Sequence, residues 1–269
     1  MSDALWLVPL GVLVGAFGTL IGAGGGFLLV PFLLLWRPDT SPEAVTAISL
    51  AVVFTNALSG SFAYAKKRRI DYRSAVLFAV AGIPGAMLGA WVVGFIPAAV
   101  FRPVFGGALL AGTAYLIARA GAPITEVPTG AVGFHRELTD REGHTYRWSY
   151  PLPLGMAIST GVGVISSLLG LGGGIIHVPV MVRLLRFPVH VATATSHLTL
   201  GVITLTAVLV HAVLGNFDGA LHPTLELAIG VVIGAQLGAK LSDRVGGVWI
   251  IRALAGALGI VGLRLLVVG

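Results

Sequence analysis

No cysteine occurs in the 269 residues, which excludes thiol chemistry, Fe–S clusters and Cys-ligated zinc. Charge is scarce too: 10% of residues are Asp, Glu, Lys or Arg, while 56% are hydrophobic. Soluble domains carry roughly 25% charged residues, so this chain could not cover a water-facing surface. Catalytic signatures are also missing. Neither Gly cluster completes G-x-G-x-x-G, because Phe27 and Ile175 occupy the last position, and no βαβ context surrounds either. No G-x-S-x-G elbow, H-E-x-x-H or other metal spacing occurs, and Asp71 and Asp218 lie too near loops for an intramembrane aspartyl pair. The expectation is a protein that is not an enzyme, with no metal and no cofactor. A cleavable signal peptide is not expected either, since Asp3 stands where a basic start belongs.

What is present is apolar length. Uncharged or nearly uncharged runs extend over Ala4–Ile21, Ala44–Ala65, Ala75–Val93, Val104–Ala118, Leu152–Leu171, Leu198–Leu214, Leu225–Leu241 and Val248–Val268. A helix that crosses a bilayer takes about 20 apolar residues. One such run could be a buried core helix; eight cannot. The chain therefore reads as an all-α polytopic protein with the lipid bilayer as its surroundings. Its net charge of +6 does not point to nucleic acid, because basic residues of membrane proteins gather in cytoplasmic loops.

The chain is internally duplicated. Residues 18–33 read GTLIGAGGGFLLVPFL and residues 166–181 read SSLLGLGGGIIHVPVM. Gly22, Gly24, Gly25, Gly26 and Pro31 fall on Gly170, Gly172, Gly173, Gly174 and Pro179 at a spacing of 148. Ser49 matches Ser196 and Asp71 matches Asp218 at 147; Gly85 and Gly89 match Gly234 and Gly238 at 149; Arg102 matches Arg252 at 150. Any one Gly pair is weak in a chain with 38 Gly, but the ordered series is not. The division follows: a first repeat over 1–118, a polar linker over 119–151 and a second repeat over 152–269. Alternating charges in the linker, including Arg136, Glu137, Asp140, Arg141 and Glu142, suggest an extramembrane hairpin or loop.

Loop charges orient the halves. Lys66-Lys67-Arg68-Arg69 has no basic counterpart in Gly215–Pro223, whereas Arg183, Arg186, Lys240 and Arg244 flank that loop on both sides. Positive residues mark the cytoplasmic face, so matching loops lie on opposite faces and the repeats are inverted. Each half then holds about five hydrophobic segments, or three crossings plus a re-entrant hairpin, with Lys66–Arg69 and the linker in the cytoplasm. Inverted repeats are the architecture of secondary transporters, whose sites lie near mid-membrane between the halves.

The Gly clusters interrupt membrane segments, leaving only about ten apolar residues before the next polar break. At ~1.5 Å per residue such a piece spans about half of a ~30 Å core. The free N–H groups at the start of a half-helix carry partial positive charge and can hold an anion without Lys or Arg. Gly24, Gly25, Gly26, Gly172, Gly173 and Gly174 are thus candidate substrate-binding residues. Gly85/Gly89 and Gly234/Gly238 read instead as close helix packing. Among polar residues in apolar runs, His177 and His197 are candidates because a buried ionisable group is costly and His exchanges protons near neutral pH. Ser49, Ser196, Thr195 and Asn56 are further candidates as short neutral donors, and Gln236 is one for its depth in the penultimate segment. His211, opposite Tyr64 in the repeat, reads as interfacial, and Arg102 and Arg252 as snorkelling to the interface.

The paired G-x-G-G-G-x-x-x-x-P motifs, Gly22–Pro31 and Gly170–Pro179, resemble the TauE/SafE sulfite exporter family. So does the run Ala192-Thr-Ala-Thr-Ser-His with its echo Thr46-Ala-Ile-Ser-Leu. The resemblance covers nearly the whole chain outside 119–150. It implies a bacterial-type inner-membrane carrier of small sulfur-containing anions such as sulfite, sulfoacetate or other organosulfonates. It carries onto Gly24–Gly26, Gly172–Gly174, Ser49 and Ser196. The first half has no match to His177 or His197, so any proton coupling through them is one-sided. A passive anion channel is the alternative; a membrane-embedded enzyme or sensor is disfavoured by the missing catalytic groups.

Overall fold

The computed structural model describes residues 6–119, 133–218, 220–242, 255–256, 259–260 and 262–263. The first half comprises α1 (Leu7–Ile21), α2 (Gly26–Trp36), α3 (Pro42–Lys66), α4 (Tyr72–Val92, ending in a 3₁₀ turn) and α5 (Ala98–Arg119). A β-hairpin of β1 (Phe134–Thr139) and β2 (Thr145–Tyr150) follows, then α6 (Leu152–Leu169), α7 (Gly174–Arg183), α8 (Val189–Val213) and α9 (Leu221–Leu241). Among the described residues, five helices are long and apolar enough to cross a membrane. The two strands depart from an all-helical chain, and they fall in the polar linker where composition predicts an extramembrane hairpin. The segment Val248–Val268, with Arg252, lies almost wholly outside the described residues.

Two helical hairpins shape the interior. α1 ends at Gly22 and α2 starts at Gly26, and the chain then runs back along itself: Trp6 packs edge-on against Phe32 and Trp36. α6 and α7 do the same around Gly170–Gly174, with Gly155 of α6 lying against Leu185 just past α7. The reversals depend on left-handed backbone, at Gly22, Gly24 and Gly25 (φ 81°, 78°, 89°) and again at Gly170, Gly172 and Gly173 (69°, 78°, 74°). Only glycine adopts these angles readily, which is why both motifs are glycine at the same three positions.

The halves are interlocked rather than side by side. α1 packs on α9, and α6 packs on α4. Glycine lets the backbones touch: a Cβ on Gly230, Gly234 or Gly238 would lie 2.1, 2.2 or 2.1 Å from the carbonyl oxygens of Val8, Val12 or Ala16. Gly85 and Gly89 meet the carbonyls of Thr160 and Val164 in the same way, at 2.1 and 2.3 Å. Residue numbers rise together along both pairs, so each runs parallel. In a bilayer, where apolar surface gains nothing by leaving lipid, such close packing is what holds helices together. The small-residue reading of Gly85/Gly89 and Gly234/Gly238 agrees with these contacts. α3 and α8 pack against each other. Gly60 faces His197, Ala57 faces Gly201, and Leu50 shares a cluster with Ala207. As one number rises the other falls, so this pair is antiparallel.

The β-hairpin sits over one end of the bundle. Its strands pair from Phe134↔Tyr150 to Thr139↔Thr145, and its inner face carries Phe134, Trp148 and Tyr150 into a cluster with Phe78 and Phe187. The loop between α3 and α4 is tied to it: the Arg141 amide donates to the Lys67 carbonyl, and Arg69 pairs with Glu142 at 3.1 Å. Lys67 donates to the Ala239 carbonyl at the end of α9. Lys66–Arg69, the hairpin, the α7–α8 loop and the end of α9 therefore share one end of the molecule.

Candidate functional site

The two hairpin tips cross in the middle of the bundle. A Cβ on Gly26 would lie 2.3 Å from the Gly170 carbonyl oxygen, and one on Gly174 would lie 2.0 Å from that of Gly22. Gly24 and Gly172 both rest on Val53, midway along α3. Thus Gly26, Gly172 and Gly174 make the contact across the halves, while Gly25 and Gly173 pack on Val14 and on Val162, Leu200 and Ser166 of their own. The first amides of α2 and α7, at Gly26, Phe27, Gly174 and Ile175, donate to no backbone carbonyl among the described residues, as expected of helix starts.

Polar side chains from both halves line this crossing. Ser49, fully buried, donates to the Gly170 carbonyl at 2.7 Å. Asn56 has both ends of its amide engaged: Nδ2 donates to the Gly24 carbonyl at 2.9 Å, and Oδ1 accepts from Thr19 Oγ1 at 2.8 Å. His197 Nε2 lies 3.4 Å from the same Thr19 oxygen. The His197 ring also sits edge-on to Tyr64, whose hydroxyl donates to the Thr19 carbonyl at 2.9 Å. His177 bridges Ser159 Oγ (Nε2, 3.1 Å) and Ser196 Oγ (Nδ1, 3.3 Å).

Of the residues singled out from sequence, the clusters, Ser49, Asn56, Ser196, His177 and His197 converge here. Gln236 stands apart in role, since its amide donates to the carbonyl and hydroxyl of Ser59 at 2.8 and 2.9 Å and ties α9 to α3. Thr195 accepts the Asp71 amide. His211 is fully buried in the last turn of α8 and bonds Asn216 of the following loop at 2.9 Å. Arg102 reaches the Pro38 carbonyl at 2.6 Å. Sequence reasoning missed Thr19, Tyr64 and Ser159. Thr19 had a signal: it precedes Gly22 by three residues, as Ser167 precedes Gly170. Ser159 matches Gly11 at the repeat spacing and had none. Three fully or nearly fully buried hydroxyls, on Ser166, Ser167 and Thr193, have no hydrogen-bond partner among the described residues. Ser166 and Thr193 touch the tips at Gly173 and Gly22.

Apolar crossing helices, two broken hairpins meeting at their tips and a buried polar lining define a multi-pass membrane transporter by class. The profile of the family "Sulfite exporter TauE/SafE" matches residues 7–265, and the chain belongs to that family. It is 32% identical over 270 residues to "Probable membrane transporter protein YunE" of Bacillus subtilis (strain 168), covering 98% of this chain and 97% of the relative. A "Probable membrane transporter protein" of Methanocaldococcus jannaschii is 29% identical over 97% of this chain and 94% of its own. Another, of Xylella fastidiosa (strain 9a5c), is 29% identical over 87% and 83%. No solved structure matches the chain. These relatives carry transporter names, not enzyme names, in agreement with the absent catalytic motifs.

Proposed function

We propose that this protein is a secondary transporter of small sulfur-containing anions (sulfite, sulfoacetate or other organosulfonates), working by alternating access about the crossed glycine tips. The observation that carries the reading is the crossing itself, where two half-helix starts from opposite halves meet beside buried hydroxyls that have no partner among the described residues. An unpaired buried hydroxyl costs about 1–3 kcal/mol; a bound oxyanion would satisfy it. A sulfonate presents three acceptor oxygens to such donors, and neutral dipoles release an anion more readily than an Arg clamp would. The sulfur specificity rests on the family.

The antiparallel α3/α8 pair and the exchanged α1/α9 and α4/α6 partners support reading the halves as inverted repeats, with α1/α2 and α6/α7 re-entrant. Lys66, Lys67, Arg68, Arg69, Arg183, Arg186 and Lys240 crowd the hairpin end, which we assign to the cytoplasm of a bacterial-type inner membrane. His177 and His197 are the groups through which a proton could be coupled. A thermal-shift screen of purified protein against sulfite, sulfate, taurine, sulfoacetate and acetate tests the cargo. Stabilisation by at least one sulfur anion, and not by acetate, is expected; equal response to all, or to none, would sink the assignment.

A further inference from the structure

The matched aspartates Asp71 and Asp218 stand in opposite circumstances. Asp218 is exposed and lines a cavity of about 160 Å³ with Trp36, Arg37, Thr40 and Pro223. Asp71 is 1% exposed and sealed. Arg136 of β1 grips it with a two-pronged contact, Nη2 to Oδ1 at 2.6 Å and Nε to Oδ2 at 2.9 Å. Ser74 donates to Oδ2 at 2.5 Å and meets the Tyr150 hydroxyl at 2.6 Å. Burial, only partly offset by the bond to Ser74, pushes the Tyr150 phenol up to about 12, so it stays a protonated partner at any working pH. Among the described residues no second hairpin covers the other end.

The seal reaches the transport site through two contacts. The Asp71 amide donates to Thr195 Oγ1 at 3.0 Å, one residue from Ser196. Phe78 touches the Tyr150 ring and the His177 ring, with centroids 5.7 Å away in each case. The lock is ionic at its water-facing edge: the Arg136 side chain is 21% exposed, that of Asp71 0%. Ions released from such a pair are solvated by incoming water, which offsets the loss of their attraction. A wholly apolar seal has no comparable compensation on opening.

Resting on the transporter reading, we propose that the β-hairpin is the gate at the end bearing Lys66–Arg69, locked by Arg136 on Asp71, and that the site is reached from the opposite end, the one bearing Asp218. The chain suits a direct test because it contains no cysteine. A single Ser196→Cys would be labelled in oriented vesicles with a membrane-impermeant thiol reagent. From the hairpin end labelling should be slow, and from the Asp218 end faster. Adding Arg136→Ala should speed labelling from the hairpin end by about tenfold or more, as the open population grows. Arg147→Ala, which removes an exposed pair with Glu137 on the same hairpin, should leave the rate alone. Should Arg136→Ala fail to give folded protein, Tyr150→Phe keeps the ring, removes its bond to Ser74, and should raise the rate severalfold. An unchanged rate in a folded variant, or fast labelling from the hairpin end before any substitution, overturns the gate. The measurement needs no transported anion, so a failed gate leaves the transporter reading standing, and a failed transport assay leaves the gate result intact.

Discussion

Gly174→Ala is expected to abolish transport and to lower the melting temperature. The new Cβ would lie 2.0 Å from the Gly22 carbonyl oxygen and 2.5 Å from the Ala23 Cα. Both are backbone atoms of the opposite tip, so no side chain can rotate away. Overpacking of this kind costs about 1–3 kcal/mol and sometimes more, and the only relief is to push the two tips apart at the crossing. Gly26→Ala, whose Cβ would meet the Gly170 carbonyl at 2.3 Å, should behave alike. Gly161→Ala supplies the contrast: it lies in α6 with nothing within 4 Å of an added Cβ, and alanine favours helix over glycine. It should keep both transport and stability. Anion flux in liposomes and thermal melts of the three variants check the pattern. Wild-type flux in Gly174→Ala would remove the tips from the mechanism.

Asn56→Ala should come second in effect. The substitution strands the Gly24 carbonyl inside the bundle, at a cost of about 1–3 kcal/mol when left unpaired, and removes the acceptor of the Thr19 hydroxyl. The consequence is positional as well as energetic. Asn56 joins α3 to the first tip, and Thr19 in turn holds His197 of the second half, so the loss frees both sides of the lining. Transport should fall by about tenfold or more, since each 1.4 kcal/mol is worth one decade. A variant that melts earlier yet carries anion at the native rate would make Asn56 a purely structural residue.

Much of this arrangement was legible in the residues. The membrane class follows from charge scarcity, the half-helix starts from Gly clusters repeated 148 residues apart, and the helix contacts from Gly-xxx-Gly spacing at Gly85 and Gly234. Direction was harder. Apolar length cannot distinguish a crossing from a hairpin that turns back, so five segments and three crossings with a hairpin fit the residues equally; that α2 runs back along α1 shows only in contacts such as Trp6 on Trp36. Hydroxyls such as Thr19 and Ser159 were hidden because Ser and Thr in membrane helices often bond their own helix carbonyls; only the tertiary partner distinguishes them. Asp71 lies next to a loop, where a carboxylate is ordinary. Its partner Arg136 is 65 residues away in a linker to which sequence assigned no chemistry, and no spacing rule joins the two.

Counterflow in liposomes reconstituted with the purified chain tests the central claim most directly. Vesicles loaded with unlabelled sulfite or sulfoacetate should accumulate the labelled anion transiently, with a rate that saturates, and Gly174→Ala should abolish the signal. Flux that rises linearly with concentration and shows no counterflow would contradict the account and identify a channel.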